Sequence, residues 1–175
     1  MGLLSKKNKP SQKAYAVVTG AGSGIGRSFA LELAKRGGDV ICADIELSSA
    51  QETVDLIQSM TSTSAYAVHC DVGLKESVHA LAEQSEQLLG HPVTLLINNA
   101  GVGLGGKFDE VSLEDWQWCM HVNLWGVIHG CHYFVPKFKQ QGFGAIINVA
   151  SAAGYTVAPE MTAYNVTKSS VLALS

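Results

Sequence analysis

The turn T19-G20-A21-G22-S23-G24-I25-G26 follows an apolar run and opens a helical pattern. Glycines there let the backbone approach a pyrophosphate, and the helix start adds N–H donors and a favourable dipole end. The spacing is T-G-x-x-x-G-x-G, not G-x-G-x-x-G, because the position that would carry the last glycine is Arg27. Asp44 lies 18 residues after Gly26, at the end of the next apolar run. A carboxylate so placed accepts hydrogen bonds from a ribose 2′-hydroxyl and repels a 2′-phosphate. No Lys or Arg occurs between Asp39 and Ala50, which favours NAD over NADP. Further along come Asp71-Val72 and Asn98-Asn99-Ala100-Gly101, each at the carboxyl end of an apolar run, where open α/β sheets bind ligands. Asn123 stands inside a helical pattern, a poor position for asparagine without a reason. Ser151 follows the last apolar run, and Tyr164 and Lys168 stand four apart on one helix face. Singly, each of these has a plainer reading: a turn serine, a half-buried tyrosine, a solvated lysine.

The elements that must position these residues alternate along the chain. Short apolar runs occur at Ala14–Thr19, Asp39–Ala43, Ala65–Cys70, Val93–Ile97 and Ala145–Val149. Between them lie helical patterns: Gly24–Arg36 with Phe29, Ala30, Leu33 and Ala34 on one face; Ser49–Met60; and Leu74–Leu89 with Val78, Leu81, Ala82 and Leu88. A long one follows at Ser112–Lys139, and a last one at Thr162–Ser175. Ser49/Glu52 and Ser112/Asp115 have capping-box spacing, and Pro136 should kink or shorten the long helix. Strands apolar on both faces, alternating with helices, predict a doubly wound parallel sheet of Rossmann type. About five strands are expected, in the order 3-2-1-4-5. The chain ends on an apolar helical stretch with no capping glycine, and AIINV would be an aggregation-prone sheet edge. Both features lead to the expectation of a fragment whose C-terminal strands are missing.

Composition narrows the function classes. Of 175 residues, 47% are apolar and 15% charged, which suits a packed core. Lys6, Lys7, Lys9 and Lys13 stand in a stretch without acids, leaving 8 basic against 15 acidic side chains in the other 162 residues. A basic flexible tail is expected over residues 1–12 and one dinucleotide-binding domain over 13–175. An acidic body argues against nucleic acid, whose binding rests on phosphate neutralisation. No apolar run is long enough to span a membrane. Cys42, Cys70, Cys119 and Cys131 form no C-x-x-C pair, and the histidines have no zinc spacing. The reading is a reduced, cytoplasmic protein with no metal site. Trp116, Trp118 and Trp125 read as core or subunit-contact residues.

Taken in order, TGAGSGIG, DV, NNAG, the mid-helix Asn123, the post-strand Ser151 and the Tyr164/Lys168 pair resemble the short-chain dehydrogenase/reductase family, single-domain branch. The resemblance covers essentially Ala14 to Ser175. It implies an oxidoreductase moving hydride between a nicotinamide and a secondary alcohol or ketone. By the resemblance, Thr19, Gly20, Gly24, Ile25 and Gly26 line the pyrophosphate, Asp44 binds the adenosine ribose, and Asp71 and Val72 flank adenine. Asn99, Ala100 and Gly101 pass close to the adenosine and ribose portions. Tyr164 would be the acid/base. A phenol titrates near 10, and a cation at about 4 Å in an effective dielectric of 20 is worth roughly 4 kcal/mol towards its ionised form. Lys168 and the oxidised nicotinamide ring would be the two such cations, and Lys168 would also hold the nicotinamide ribose. Ser151 would hold the substrate oxygen, and Asn123 a proton-relaying water. The family's long helix and Tyr helix pack against partner subunits, implying a homodimer or homotetramer. The substrate is read as a small, apolar alcohol or ketone, with Gly103–Asp109 and Gly154–Met161 lining part of its pocket. Three other readings compete. An epimerase or dehydratase would carry T-G-x-x-G-x-x-G, but Ser23 stands where its second glycine belongs. A non-catalytic dinucleotide-binding module would commonly lose Tyr164 or Lys168. An inactive truncated fragment is the third.

Overall fold

A computed structural model describes residues 9–175 of the chain. Its core is a five-stranded parallel sheet: β1 (Tyr15–Thr19), β2 (Asp39–Asp44), β3 (Ala65–His69), β4 (Leu95–Asn98) and β5 (Ala145–Asn148). The order across the sheet is β3-β2-β1-β4-β5, the order expected. Residues 1–8 of the expected basic tail lie outside the described residues.

The central strands are apolar on both faces because both faces are covered. Ala16, Val18, Val40, Cys42, Leu95 and Ile97 point to one side. They meet Ala30, Leu33 and Ala34 of α1 (Gly24–Lys35) and Ala50, Val54 and Ile57 of α2 (Leu47–Met60). Val17, Ile41, Ala43 and Leu96 point to the other. There they meet Val78, Leu81 and Ala82 of α3 (Lys75–Leu89) and Phe134 and Phe138 of α5 (Gly126–Gln141). Each largest buried side chain contributes roughly 1.5–3 kcal/mol. The outer strands differ: β3 and β5 are only partly buried, and Ile147 of β5 is 43% exposed.

Several local expectations are corrected. Helix α2 starts at Leu47 with Glu46 before it, so Ser49 is already helical and caps nothing. Glu52 faces Arg27 instead, at 2.9 Å. Leu88 is 40% exposed, and Leu89 takes the buried position on α3. The single long helix is three pieces: α4 (Leu113–Met120), a π-helical turn at His121–Trp125, and α5. The wide turn contains Asn123, which is buried within it. Pro136 does not shorten α5, which runs on to Gln141 and stops at Gly142 in the left-handed conformation. Ser112 does cap α4, its hydroxyl accepting from the Asp115 N–H at 3.0 Å. The last helix, α6 (Thr162–Leu174), follows a short 3₁₀ turn at Ala152–Gly154. Among the described residues, no helix is long and apolar enough to cross a membrane.

Burial sets the chemistry of two thiols. Desolvation pushes Cys42 up to about 12 and Cys70 up to about 11, from an ordinary 9.0. Below pH 9 the folded and unfolded chains both keep these protons. From about pH 9 up to the raised folded values the unfolded chain gives them up and the folded chain does not, so stability falls as pH rises. Melting temperatures measured at pH 7.5 and pH 10 should show this drop, and Cys42→Ala should lessen it.

Candidate active site

A cleft of about 530 Å³ runs along the carboxyl ends of the strands. It is lined by Gly20, Gly24, Ile25, Gly26, Asp44, Asp71, Val72, Asn99, Ala100, Gly101, Tyr164 and Lys168, so twelve of the fifteen expected site residues share one wall system. Thr19, Asn123 and Ser151 are not in its lining.

The turn between β1 and α1 is shaped by backbone contacts. Gly20 has φ +65, a conformation other residues rarely hold, and a Cβ there would stand 2.8 Å from the Ala100 Cα. Thr19 lies beneath the turn, 4% exposed. Its hydroxyl accepts from the Asn99 and Ala100 N–H groups at 3.0 and 3.1 Å and donates to the Ile97 carbonyl at 3.4 Å. Thr19 therefore stitches β1 to the end of β4 and does not face the cleft. The Asn99 side-chain amide donates to the Thr19 carbonyl at 2.9 Å and to the Gly20 carbonyl at 3.3 Å. It holds the glycine turn from behind while Asn99 itself borders the cleft.

Asp44 is tied to the same turn. One carboxylate oxygen accepts from the Gly22 N–H at 2.8 Å and the other from the Glu46 N–H at 3.0 Å. Both oxygens keep lone pairs for a hydroxyl in the cleft. Arg27 is the cation that a scan of residues 39–50 passes over. Its Nε donates to the Thr53 hydroxyl at 2.9 Å, and its Nη2 donates to Glu52 at 2.9 Å and to the Gly22 carbonyl. The guanidinium is thus committed to joining the glycine turn to α2. Asp71 closes its own loop, accepting from the Gly73 N–H at 2.9 Å.

At the other end, Lys168 is 4% exposed, and its Nζ donates to the Val149 carbonyl at 2.8 Å. Burial lowers its pKa below the ordinary lysine value, and the nearby Cys119 opposes this weakly. The ammonium has two N–H groups beyond the one on Val149. It stands 5.7 Å from the centre of the Tyr164 ring. Ser151 precedes the 3₁₀ turn, and its Oγ accepts from the Ala153 N–H at 3.1 Å, leaving its own O–H to donate elsewhere. Asn123 is fully buried: its Oδ1 accepts from the Val102 N–H at 2.7 Å and its Nδ2 donates to the Val102 carbonyl at 2.8 Å.

Some lining residues escape a reading of the sequence. Trp118, 47% exposed, borders the cleft one helical turn from Val122, so it is neither core nor solely a surface contact. Its i, i+4 spacing to Val122 was the available signal. Cys70, Val102, Val149 and Ala150 also contribute. Of the loops expected to line a substrate pocket, only Gly103 reaches this cleft; Leu104, Phe108, Tyr155, Val157 and Met161 do not. Those two loops touch through the Gly106 N–H and the Glu160 carbonyl at 2.7 Å. Among the described residues, no group of three potential metal ligands comes together.

Known proteins share this fold. The family model described as short chain dehydrogenase matches residues 14–175. A cyclohexanol dehydrogenase of an Acinetobacter strain is 38% identical over 169 residues, which is 96% of this chain and 66% of that protein. A short chain dehydrogenase/reductase of Burkholderia phymatum, solved in complex with NAD, superposes with a TM-score of 0.90 at 39% identity, covering 95% of this chain and 59% of that one. An NAD+-bound xylitol dehydrogenase superposes with a TM-score of 0.89 at 28% identity, covering 95% and 64%. The chain spans between 26% and 68% of the length of eight curated relatives that it matches. With its sheet order, glycine turn and Tyr164/Lys168 pair, this chain belongs to the short chain dehydrogenase family.

Proposed function

We propose that the chain binds NAD and serves an oxidoreductase that interconverts a small secondary alcohol and its ketone. The observation that carries this reading is one continuous cleft with Asp44 and the glycine turn at one end and Tyr164 and Lys168 at the other. The residues present suit a dinucleotide. A helix start and a glycine turn meet its pyrophosphate, Asp44 offers acceptors to a ribose, and Asp71 and Val72 bracket the base. When bound, the nicotinamide supplies the hydride acceptor or donor.

The chain's own groups do the rest. Tyr164 takes the alcohol proton on its phenol oxygen, or returns it in the reverse direction. Lys168, fixed by the Val149 carbonyl, turns its remaining N–H groups to the nicotinamide ribose. Ser151 gives its O–H to the substrate oxygen and steadies the developing alkoxide. The Asn123 amide is used by Val102, so a relay water at Asn123 would rest on the backbone of the π turn. The body of the chain from residue 13 acts as one cofactor domain behind a basic tail. Subunits associate through the long helical segment and α6, as the family resemblance suggests, and the protein works in the cytoplasm. Cyclohexanol, the substrate in one relative's name, is a suitable first alcohol to try.

Asp44 gives the direct test of the cofactor. Saturation at 100-fold over Kd adds about 2.7 kcal/mol, which raises the melting temperature by roughly 5–10 °C. NAD should produce this rise in the wild-type chain, and NADP should not. Asp44→Ala should reduce the NAD response and narrow the gap between the two. Equal responses to both dinucleotides in the wild-type chain would remove Asp44 as the selector.

A further inference from the structure

Thr167 stands between Tyr164 and Lys168 in α6 but points away from the cleft, with no exposed surface. Its hydroxyl donates to the Tyr164 carbonyl at 2.8 Å, a common back-bond for a helical threonine. That donation leaves the oxygen's lone pairs free, and Asn123 Nδ2 lies 3.3 Å away. The Asn123 amide in turn holds both backbone groups of Val102. Gly101, just before Val102, is the meeting point. A Cβ there would stand 3.1 Å from Asn123 Oδ1 and 3.5 Å from Lys168 Nζ.

We infer that Thr167 is a positioning residue, tying the Tyr164/Lys168 turn of α6 through Asn123 to the Gly101–Val102 wall of the cleft. Two segments more than 60 residues apart in sequence must agree in position if Lys168 is to meet a dinucleotide lying along Gly101. Packing alone does not require a hydroxyl at this place, since valine has nearly the same shape. The hydroxyl is needed to accept from Asn123, whose second amide proton otherwise meets only the Cys119 sulfur at 3.3 Å. This role rests on the cofactor reading above, and it adds a residue that touches neither cofactor nor substrate.

The test is NADH binding to the chain, followed by nicotinamide fluorescence well below the melting temperature of every variant. Thr167→Val should weaken binding about fivefold, the worth of one ordinary hydrogen bond. Thr167→Ser, which keeps the hydroxyl, should stay within about twofold of wild type. Lys168→Ala should itself weaken binding. Adding Thr167→Val to it should cost less than about twofold more, because the two residues act through one contact. A purely structural threonine would lower the melting temperature and leave NADH affinity alone. Wild-type affinity in Thr167→Val, failure of serine to rescue, or a full fivefold loss on top of Lys168→Ala would each overturn the inference. If the valine variant does not fold, Thr167→Ala decides by the same criteria. Absence of NADH binding in the wild-type chain would instead remove the cofactor reading, and the role of Thr167 with it.

Discussion

Gly26→Ala is expected to lower the melting temperature by roughly 10–15 °C and to abolish the rise produced by NAD. The added Cβ would stand 2.0 Å from the Gly20 carbonyl oxygen, 2.5 Å from Asn99 Nδ2 and 2.7 Å from the Gly20 carbonyl carbon. Two of those atoms are backbone and cannot rotate aside. The Asn99 amide is held by the Thr19 and Gly20 carbonyls. Helix α1 cannot withdraw either, because Ala30, Leu33 and Ala34 are packed on the sheet. Overpacking of side chains typically costs 1–3 kcal/mol, and a clash with fixed backbone should reach about 4 kcal/mol. Gly24→Ala is the matched control. Gly24 has φ +52 and nothing within 4 Å of its would-be Cβ, so it pays only the left-handed strain of about 1–2 kcal/mol. A Gly26→Ala chain that melts within about 2 °C of wild type and still responds to NAD would mean that α1 does not rest on the glycine turn.

Tyr164→Phe is expected to lower NAD-linked alcohol oxidation by about 10²–10⁴-fold, the usual worth of a positioned acid/base. Its effect on NADH affinity should stay within about threefold, less than the loss of one ordinary hydrogen bond. The ring remains for the Lys168 ammonium, which lies 5.7 Å from its centre, and Lys168 keeps its bond to Val149. Only the phenol oxygen is removed. Absorbance at 340 nm with NAD and cyclohexanol, or another secondary alcohol that the wild type oxidises, reads the rate. A variant keeping more than about a tenth of the rate would move the proton transfer off Tyr164. Ser151, whose O–H is not used in its turn, would then be the next hydroxyl to test.

Much of the architecture is legible in the residue order because it rests on local rules. Apolar runs such as AYAVVT and VTLLI can be buried on both faces only in a covered parallel sheet, and the helical stripes between them supply the cover. The strand ends place the glycine turn, Asp44, Asp71 and the Asn99–Gly101 run on the same rim. Helix spacing puts Tyr164 and Lys168 on one face, and both line the cleft. Local rules also mislead where two of them compete. Ser49 and Glu52 have capping-box spacing, yet the helix starts earlier, and Glu52 pairs with an arginine 25 residues away.

The family, the covered parallel sheet and the shared face of Tyr164 and Lys168 were thus legible in motif order and spacing. The assignment of backs and fronts was settled by folding. Thr19 and Asn99 bind each other's backbones across about 80 residues, and Thr19 is lost to the cleft as a result. Arg27 is drawn to Thr53 and Glu52, and Asn123 to Val102, while Trp118 turns out to border the cleft. In each case the side chain obeys a partner distant in the chain. A buried polar group must find such a partner or pay for its lost water, and no local periodicity says where that partner will be.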